Sequence, residues 1–394
     1  MRRLIMLLNN RKPRIKDKYA KNNGRSEQIV KEMLQIAGIT IGGNKPWDIE
    51  VHNEKLYDRL IYEGELGAGE SYMDGWWDCP ALDQFFDRIF RGKLQDHLKD
   101  NWKNRLHIMK ARLLNLQTNN RAYKVGKQHY DVGNDLYQDM LDSRLVYTCG
   151  YWENGATNLD EAQEAKLDLV CRKIELKPGM KVLELGCGWG SFAKYAAEKY
   201  GAEVTGVTVS KEQVKKGNMI CEGLPVDIRL DDYRNVTGTY DRVISIGIME
   251  HVGYKNYRTY METVDRCLKD DGIAFIHTIG GNLSKRISNP WTATYIFPHG
   301  MLPSIAQLGE AMEGIFVMED WHNFGADYDR TLMAWHDNFE KSWPRHKEKY
   351  GERFYRMWTF YLLSSAGAFR ARSNQLWQIV LTKPGRTKPA CRIS

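Results

Sequence analysis

The 394-residue chain carries 57 Lys and Arg against 50 Asp and Glu, a net charge of +7. Its length suits two domains or one enlarged domain with an ample core, and no hydrophobic run nears the ~18 residues that a membrane-spanning helix needs. Its seven cysteines are scattered, odd in number and without a C-x-x-C pair, which argues against a disulfide framework or a zinc site and for a reducing cytosol.

The charge is unevenly placed. Residues 1–25 hold nine Lys/Arg and one acid, and residues 99–127 hold eight and one, so the rest of the chain is acidic overall. Such stretches attract polyanions, either nucleic acid or an anionic membrane surface. No aromatic signature for base stacking accompanies them, so the expectation is membrane and no nucleic acid.

In chain order, residues 1–25 read as a loosely attached leader. Its apolar start, Leu4–Leu8, is too short for a signal sequence. A helix is expected from Ser26 to about Ala37, extended pieces at Gly38–Gly42 and Trp47–His52, and a helix near Asn53–Glu63. The stretch Gly64–Trp77, with its glycines and paired Trp76 and Trp77, reads as a shaped loop. Leu82, Phe85, Phe86, Ile89 and Phe90 then form one helical apolar stripe, continuing more weakly to Leu113 among basic residues. Such a helix packs on its own domain or lies on an anionic bilayer. The polar, basic run Asn119–Lys127 marks a boundary, giving domains 1–118 and 119–394.

Beyond it, Asn158 with Glu161 is a variant capping box opening a helix to about Ile174. Strands are expected at 181–186, 202–209, 226–231, 241–247 and 273–279, with helices at 190–199, 211–222 and 256–269. This alternation predicts an α/β fold, a mainly parallel sheet with helices on both faces. The Gly- and Pro-rich segment 280–303 reads as a lid or pocket wall. Helices at 304–313 and 330–371 and extended pieces at 315–320 and 375–383 complete seven strands.

The chemistry is organised around Lys181–Gly190. A buried strand, Val182–Leu185, runs into a turn of Gly186, Cys187, Gly188 and Gly190 and then a helix N-terminus, which offers free N–H groups to a small molecule. The spacing Gly186-x-Gly188-x-Gly190 departs from the dinucleotide pattern G-x-G-x-x-G. Preceded by Glu184, it matches the pattern of S-adenosylmethionine (SAM) methyltransferases.

Several longer strings carry a specific resemblance: His129–Leu136, Tyr147–Cys149 with Tyr151 and Trp152, Leu185–Gly190, Gly206–Ser210, Met249–Gly253, His277–Gly280, Glu319–Tyr328 and Ala366–Arg372. Over residues 120–383 the chain resembles the bacterial cyclopropane fatty acid synthases. The resemblance implies a seven-stranded Rossmann-like SAM methyltransferase sheet with a smaller, mainly helical N-terminal domain that engages lipid. It implies methylene transfer from SAM to the cis double bond of an unsaturated acyl chain in a membrane phospholipid. A homodimer, cytoplasmic and peripheral on the inner face of the membrane, is also implied.

By the same resemblance, SAM is held by Tyr147, Thr148, Glu184, Gly186, Cys187, Gly188, Gly190, Thr208, Ser210, Gln213, Asp232 and Tyr233, and no metal is used. The acid that often ends the second strand is missing here, and Gln213 takes the ribose. A bound bicarbonate serves as base, held by Cys149 and Ile279 through backbone groups and by Glu250, His277 and Tyr328 through side chains. Relatives often carry Cys where this chain has Ser365, so thiol catalysis there is not expected. Loss of a proton from another carbon would give a methyl-branched or methylene product, and a non-catalytic binding protein on the same fold is the other alternative.

Overall fold

The computed structural model describes residues 24–92, 94, 133–298 and 300–393. The basic stretch 1–25 except its last two residues, the stretch 99–127, the expected boundary at 118/119 and residues 129–132 lie outside these. The chain divides into two compact units. A helical unit takes the residues up to Met140 with Ser288–His299 and Leu332–Ser373, and a sheet unit takes Leu141–Ile287, Gly300–Thr331 and Asn374–Ser394.

The helical unit begins with α1 (Arg25–Ile36), β1 (Glu50–Val51), α2 (Lys55–Glu63), α3 (Glu65–Met73), β2 (Trp77–Asp78), α4 (Leu82–Arg91) and α5 (Asn134–Met140). The expected Trp47–His52 strand shrinks to β1, which pairs antiparallel with β2. The stretch expected as a loop is mostly helical, as α3. Gly64 and Gly75 turn the chain at its ends with positive φ, whereas Gly67 and Gly69 serve close approach. A Cβ on Gly69 would lie 2.2 Å from Trp291 Cδ1, and one on Gly67 would lie 2.5 Å from the Arg59 carbonyl oxygen.

The sheet unit follows with α6 (Leu159–Lys173), β3 (Lys181–Leu185), α7 (Ser191–Tyr200), β4 (Glu203–Thr208), α8 (Lys211–Ile220), β5 (Val226–Leu230), β6 (Tyr240–Ile246), α9 (Met249–Val252), α10 (Tyr257–Cys267) and β7 (Leu268–Gly281). Within the expected irregular segment 280–303 lies a short helix, α11 (Pro290–Tyr295). Asn289 caps it and Pro290 opens it, where a missing N–H costs nothing. Then come α12 (Ile305–Met312), β8 (Val317–Asn323), α13 (Ala326–Tyr350), α14 (Glu352–Arg370) and β9 (Asn374–Thr382). The single helix expected at 330–371 is thus two, separated at Gly351.

In the helical unit, the stripe on α4 packs against α14, with the Phe86 and Phe360 rings 5.1 Å apart and edge to face. Trp291 of α11 packs on α3 and lies 4.6 Å from the Phe360 ring. Tyr295 donates its hydroxyl to Glu70 Oε1 at 2.6 Å. The other Glu70 oxygen is held by Arg59, which also pairs with Glu63 and Asp74.

The seven strands lie in the order β5-β4-β3-β6-β7-β9-β8. The first five run parallel, and β9 inserts antiparallel between β7 and β8. Alternate residues face opposite sides. Leu183, Leu185 and Val243 therefore join one apolar cluster with α10 and α12, while Val182, Ile244 and Phe275 join a second with α6 and α7. Both faces are covered, as a parallel sheet requires.

Candidate active site

Strand order reverses between β3 and β6, with β4 and β5 on one side and β7 on the other. Open parallel sheets bind ligands beyond the carboxyl ends of their strands at such a reversal. Of the expected site residues, Gly186–Gly190 follow β3, Ser210 and Gln213 follow β4, Asp232 and Tyr233 follow β5 and Glu250 follows β6, while Glu184, Thr208, His277 and Ile279 lie on the strands themselves.

The turn after β3 holds Gly186, Gly188 and Gly190 at positive φ, conformations that disfavour any side chain. A Cβ on Gly186 would lie 1.9 Å from Ile248 Cδ1, whereas one on Gly188 would meet nothing within 4 Å. Gly186 is thus closed by packing against the segment after β6, and Gly188 faces open space. Cys187 is buried and donates its N–H to the Val207 carbonyl at 3.0 Å. Gly190 caps α7, whose first N–H groups face the turn. Glu184 is fully buried beneath the turn, and burial pushes its carboxyl up to about 8. Its Oε2 has no hydrogen-bond partner among the described residues.

After β4, Thr208 donates to Gln213 Oε1 at 2.6 Å and Ser210 caps α8 by accepting the Gln213 N–H. The two functions expected of Ser210 and Gln213 therefore share one turn. After β5, the Asp232 carboxylate is gripped by the Arg234 guanidinium at 2.7 and 2.8 Å, which lowers its pKa. Tyr233 is half-buried against Tyr260, with ring centroids 5.6 Å apart. These three turns lie after β3, β4 and β5, which are neighbours in the sheet.

Tyr147, Thr148 and Cys149 come from the loop before α6. Thr148 Cγ2 would lie 3.1 Å from a Cβ placed on Gly247, so the loop meets the end of β6. Two α6 side chains hold it. Gln163 Nε2 donates to the Thr148 carbonyl at 2.7 Å, and the fully buried Lys166 donates to Thr148 Oγ1 at 2.9 Å. Burial lowers Lys166 to about 8, against the pull of Asp142, Cys149 and Glu184. Cys149 is fully buried, its thiol pKa raised by burial and by Asp327. Thr331 accepts from the Gly150 N–H at 3.0 Å and from Trp152 Nε1 at 2.9 Å.

On the other side of the reversal stands Glu250, in α9. It is buried, and desolvation raises it to about 7. Its Oε1 accepts the Ile279 N–H at 2.7 Å, and its Oε2 is buried without a partner among the described residues. Ile279, expected to hold an anion through its backbone, thus gives its N–H to Glu250. His277, two residues earlier on β7, is fully buried, and desolvation with Lys166 and Lys173 pushes its pKa well down. The shift favours the neutral imidazole. Gln378, opposite it on β9, places Nε2 3.4 Å from His277 Nδ1. With Nδ1 accepting, the ring proton sits on Nε2, which has no partner among the described residues. Tyr328 is buried in the first turns of α13, one residue from Asp327.

Glu250 and Ile279 are thus in direct contact. The buried Lys166 acts electrostatically on both Cys149 and His277. Lys166, Gln163 and Gln378 were not anticipated. The signal for Lys166 was its place on the apolar face of α6, among the buried Ala162, Leu167 and Val170. Ser365 lies within α14, in the helical unit. A carboxylate-rich depression lined by Glu161, Glu164, Asp168 and Tyr195 includes none of the expected site residues. Among the described residues no His, Cys, Asp and Glu group forms a metal cluster, and no helix is long and apolar enough to cross a membrane.

Comparison with known proteins matches residues 117–379 to the family described as mycolic acid cyclopropane synthetase. The chain is 52% identical over 356 residues to the cyclopropane-fatty-acyl-phospholipid synthase of Escherichia coli (strain K12), covering 90% of this chain and 93% of that one. Among solved structures, the cyclopropane synthase MmaA2 from Mycobacterium tuberculosis superposes with a TM-score of 0.62 at 28% identity, covering 66% of this chain and 98% of that one. The mycolic acid cyclopropane synthase CmaA1, complexed with SAH and CTAB, superposes with a TM-score of 0.61 at 30% identity, covering 66% of this chain and 98% of that one. The chain belongs to this cyclopropane synthase family and is a SAM-dependent methyltransferase that cyclopropanates lipids.

Proposed function

We propose that the protein adds a methylene from SAM across the cis double bond of an unsaturated acyl chain in a membrane phospholipid, releasing S-adenosylhomocysteine, and that a bicarbonate ion serves as the base. The observation that carries the reading is a pair of buried, unpartnered atoms on one side of the strand reversal: Glu250 Oε2 and His277 Nε2. Leaving buried polar atoms unpaired is costly. One is a carboxyl oxygen on a group poised near neutrality, and the other is an imidazole nitrogen that carries the ring proton when Nδ1 accepts from Gln378. A small planar anion with both a donor hydroxyl and acceptor oxygens complements the two, so the residues fit bicarbonate.

In this reading the glycine turn and the α7 N-terminus take the methionine end of SAM, with Tyr147, Thr148 and Glu184 around it. Thr208, Ser210 and Gln213 take the ribose, and Asp232 and Tyr233 the adenine. An alkene is a weak nucleophile, so the chain must hold the methyl carbon in line with it and exclude water. After transfer the substrate is a carbocation, and loss of a proton from the new methyl group closes the ring. Bicarbonate, when bound, supplies the acceptor for that proton. His277 and Tyr328 would hold the anion through their side chains and Cys149 through a backbone group. Glu250 shares a proton with it or orients it, since a fully ionised carboxylate would repel it. The Ile279 N–H, by holding Glu250 Oε1, aims the other oxygen inward. Closing the ring needs no enzyme nucleophile, which suits Ser365.

The N-terminal region, with its basic stretches, is read as engaging the bilayer. All seven cysteines are free thiols, which suits a reducing compartment on the cytoplasmic side. The reading is tested by incubating the purified protein with SAM and unsaturated phospholipid, with and without bicarbonate. Ring formation that depends on both supports it. Full activity in bicarbonate-free buffer would remove the anion from the mechanism.

A further inference from the structure

We propose that the loop following β7, together with the start of α12, is a membrane-docking surface of the sheet unit for an anionic phospholipid bilayer. The proposal rests on the reading that the substrate acyl chain lies in a membrane. Leu283 and Ile287 are 72% and 77% exposed, and Ile305 is 58% exposed. Large aliphatic side chains exposed to this degree and held together mark an interaction surface rather than ordinary surface scatter. Residues 282–287 are exposed without interruption.

The loop is held on a fixed base. Gly281 donates its N–H to the Pro303 carbonyl at 2.8 Å, and the Ser284 and Ser304 hydroxyls are 2.7 Å apart. Ser304 and Gln307 close a full capping box at the start of α12. The two segments that carry the apolar side chains are therefore tied together at their roots, while the side chains themselves are left in water.

The charge around them selects the partner. Lys285 and Arg286 lie within the loop and Lys255 lies beside it, with the Arg286 guanidinium 5.7 Å and the Lys255 ammonium 6.0 Å from the centroid of the Tyr254 ring between them. Among the described residues none of these three cations is in an ion pair. Aliphatic tips flanked by unpaired cations match the acyl boundary and phosphate layer of an anionic bilayer. Position supports the same partner, because the loop is the direct continuation of the strand that carries His277 and Ile279. A bilayer met here would present its acyl chains at the catalytic edge of the sheet.

The test uses the full chain. Wild type, Leu283→Asp/Ile287→Asp and Lys285→Glu/Arg286→Glu are each mixed with vesicles of unsaturated phosphatidylethanolamine and phosphatidylglycerol, and the bound fraction is measured by co-sedimentation. SAM affinity, melting temperature and turnover on the same lipids dispersed in detergent are measured in parallel. The apolar double variant is expected to lose at least roughly tenfold in vesicle partitioning. The charge-reversal variant is expected to lose binding to anionic but not to neutral vesicles, with a weaker salt dependence. SAM affinity, melting and turnover in detergent should stay at wild-type values in both. Wild-type vesicle binding in both variants would overturn the proposal, as would a change in oligomeric state with vesicle binding intact. If the apolar variant melts early, the charge-reversal variant decides alone. Absence of product from wild type in either lipid form would instead overturn the proposed reaction, which the binding arm does not depend on.

Discussion

The Ile279 N–H donates to Glu250 Oε1 at 2.7 Å, so one carboxyl oxygen is fixed by the backbone of the neighbouring strand and the other is free to act. Replacing Glu250 by Gln keeps an oxygen for that N–H and removes only the ability to share a proton. Glu250→Gln should lower turnover by about a hundredfold or more and leave SAM affinity within about twofold. Rapid-quench turnover and calorimetric SAM titration check this. Retained turnover would take Glu250 out of the mechanism.

The buried carboxyls also set a pH dependence of stability. Glu184 is raised from 4.5 to about 8 and Glu250 from 4.5 to about 7, both chiefly by burial. The folded protein therefore holds these protons more tightly than the unfolded chain. Their contribution to stability is fully present below the unfolded value and is lost as pH rises through about 7 and about 8. For Glu250 the loss is of the order of 3 kcal/mol at most. Lys166, lowered to about 8, acts in the opposite sense above that pH. Urea midpoints from pH ~5 to ~8 should decline in wild type and decline less in Glu184→Gln/Glu250→Gln. An identical decline in the double variant would contradict this assignment.

Lys166 touches Thr148 with Nζ at 2.9 Å while fully buried. Removing one member of a buried charge cluster leaves its partners uncompensated and destabilises the fold. Lys166→Met should therefore lower the melting temperature. It should weaken SAM binding about tenfold, because the Thr148 hydroxyl loses its donor and Glu184 its nearest cation. A variant that melts early with normal SAM affinity would make Lys166 a purely structural residue.

The two glycines of the turn should behave differently. A Cβ on Gly186 collides with Ile248, so Gly186→Ala should destabilise the fold by about 2 kcal/mol or more. A Cβ on Gly188 meets nothing within 4 Å, so Gly188→Ala should cost only about 1 kcal/mol from its positive φ. It should nonetheless reduce SAM affinity strongly, because the methyl occupies ligand space. Thermal melting and SAM titration of the pair separate the two roles.

The sheet was legible because its strands are apolar runs bounded by turns, and because Leu185–Gly190 and Met249–Gly253 sit where strands end. What escaped depended on contacts distant in sequence. Gly67 and Gly69 look like loop residues until the Arg59 backbone and Trp291 are seen packed on the helix they belong to. Gly351 interrupts what the apolar pattern presents as one helix. Lys166 and Gln378 look like ordinary polar residues in a helix and a strand. Their contacts become visible only when Thr148 and His277 are placed beside them. The engagement of the Ile279 N–H by Glu250 is likewise a matter of side-chain reach, which no pattern of residue types encodes.

The most direct measurement follows the transferred carbon itself. The protein is incubated with SAM bearing a fully deuterated methyl group, bicarbonate and phospholipid vesicles with one cis double bond per acyl chain, and the released fatty acids are read by mass spectrometry and NMR. The expected product is a saturated three-membered ring carrying two of the three deuteriums, with the third lost to solvent. A product that keeps all three deuteriums in a methyl branch, or lipid that remains unmodified, would contradict it.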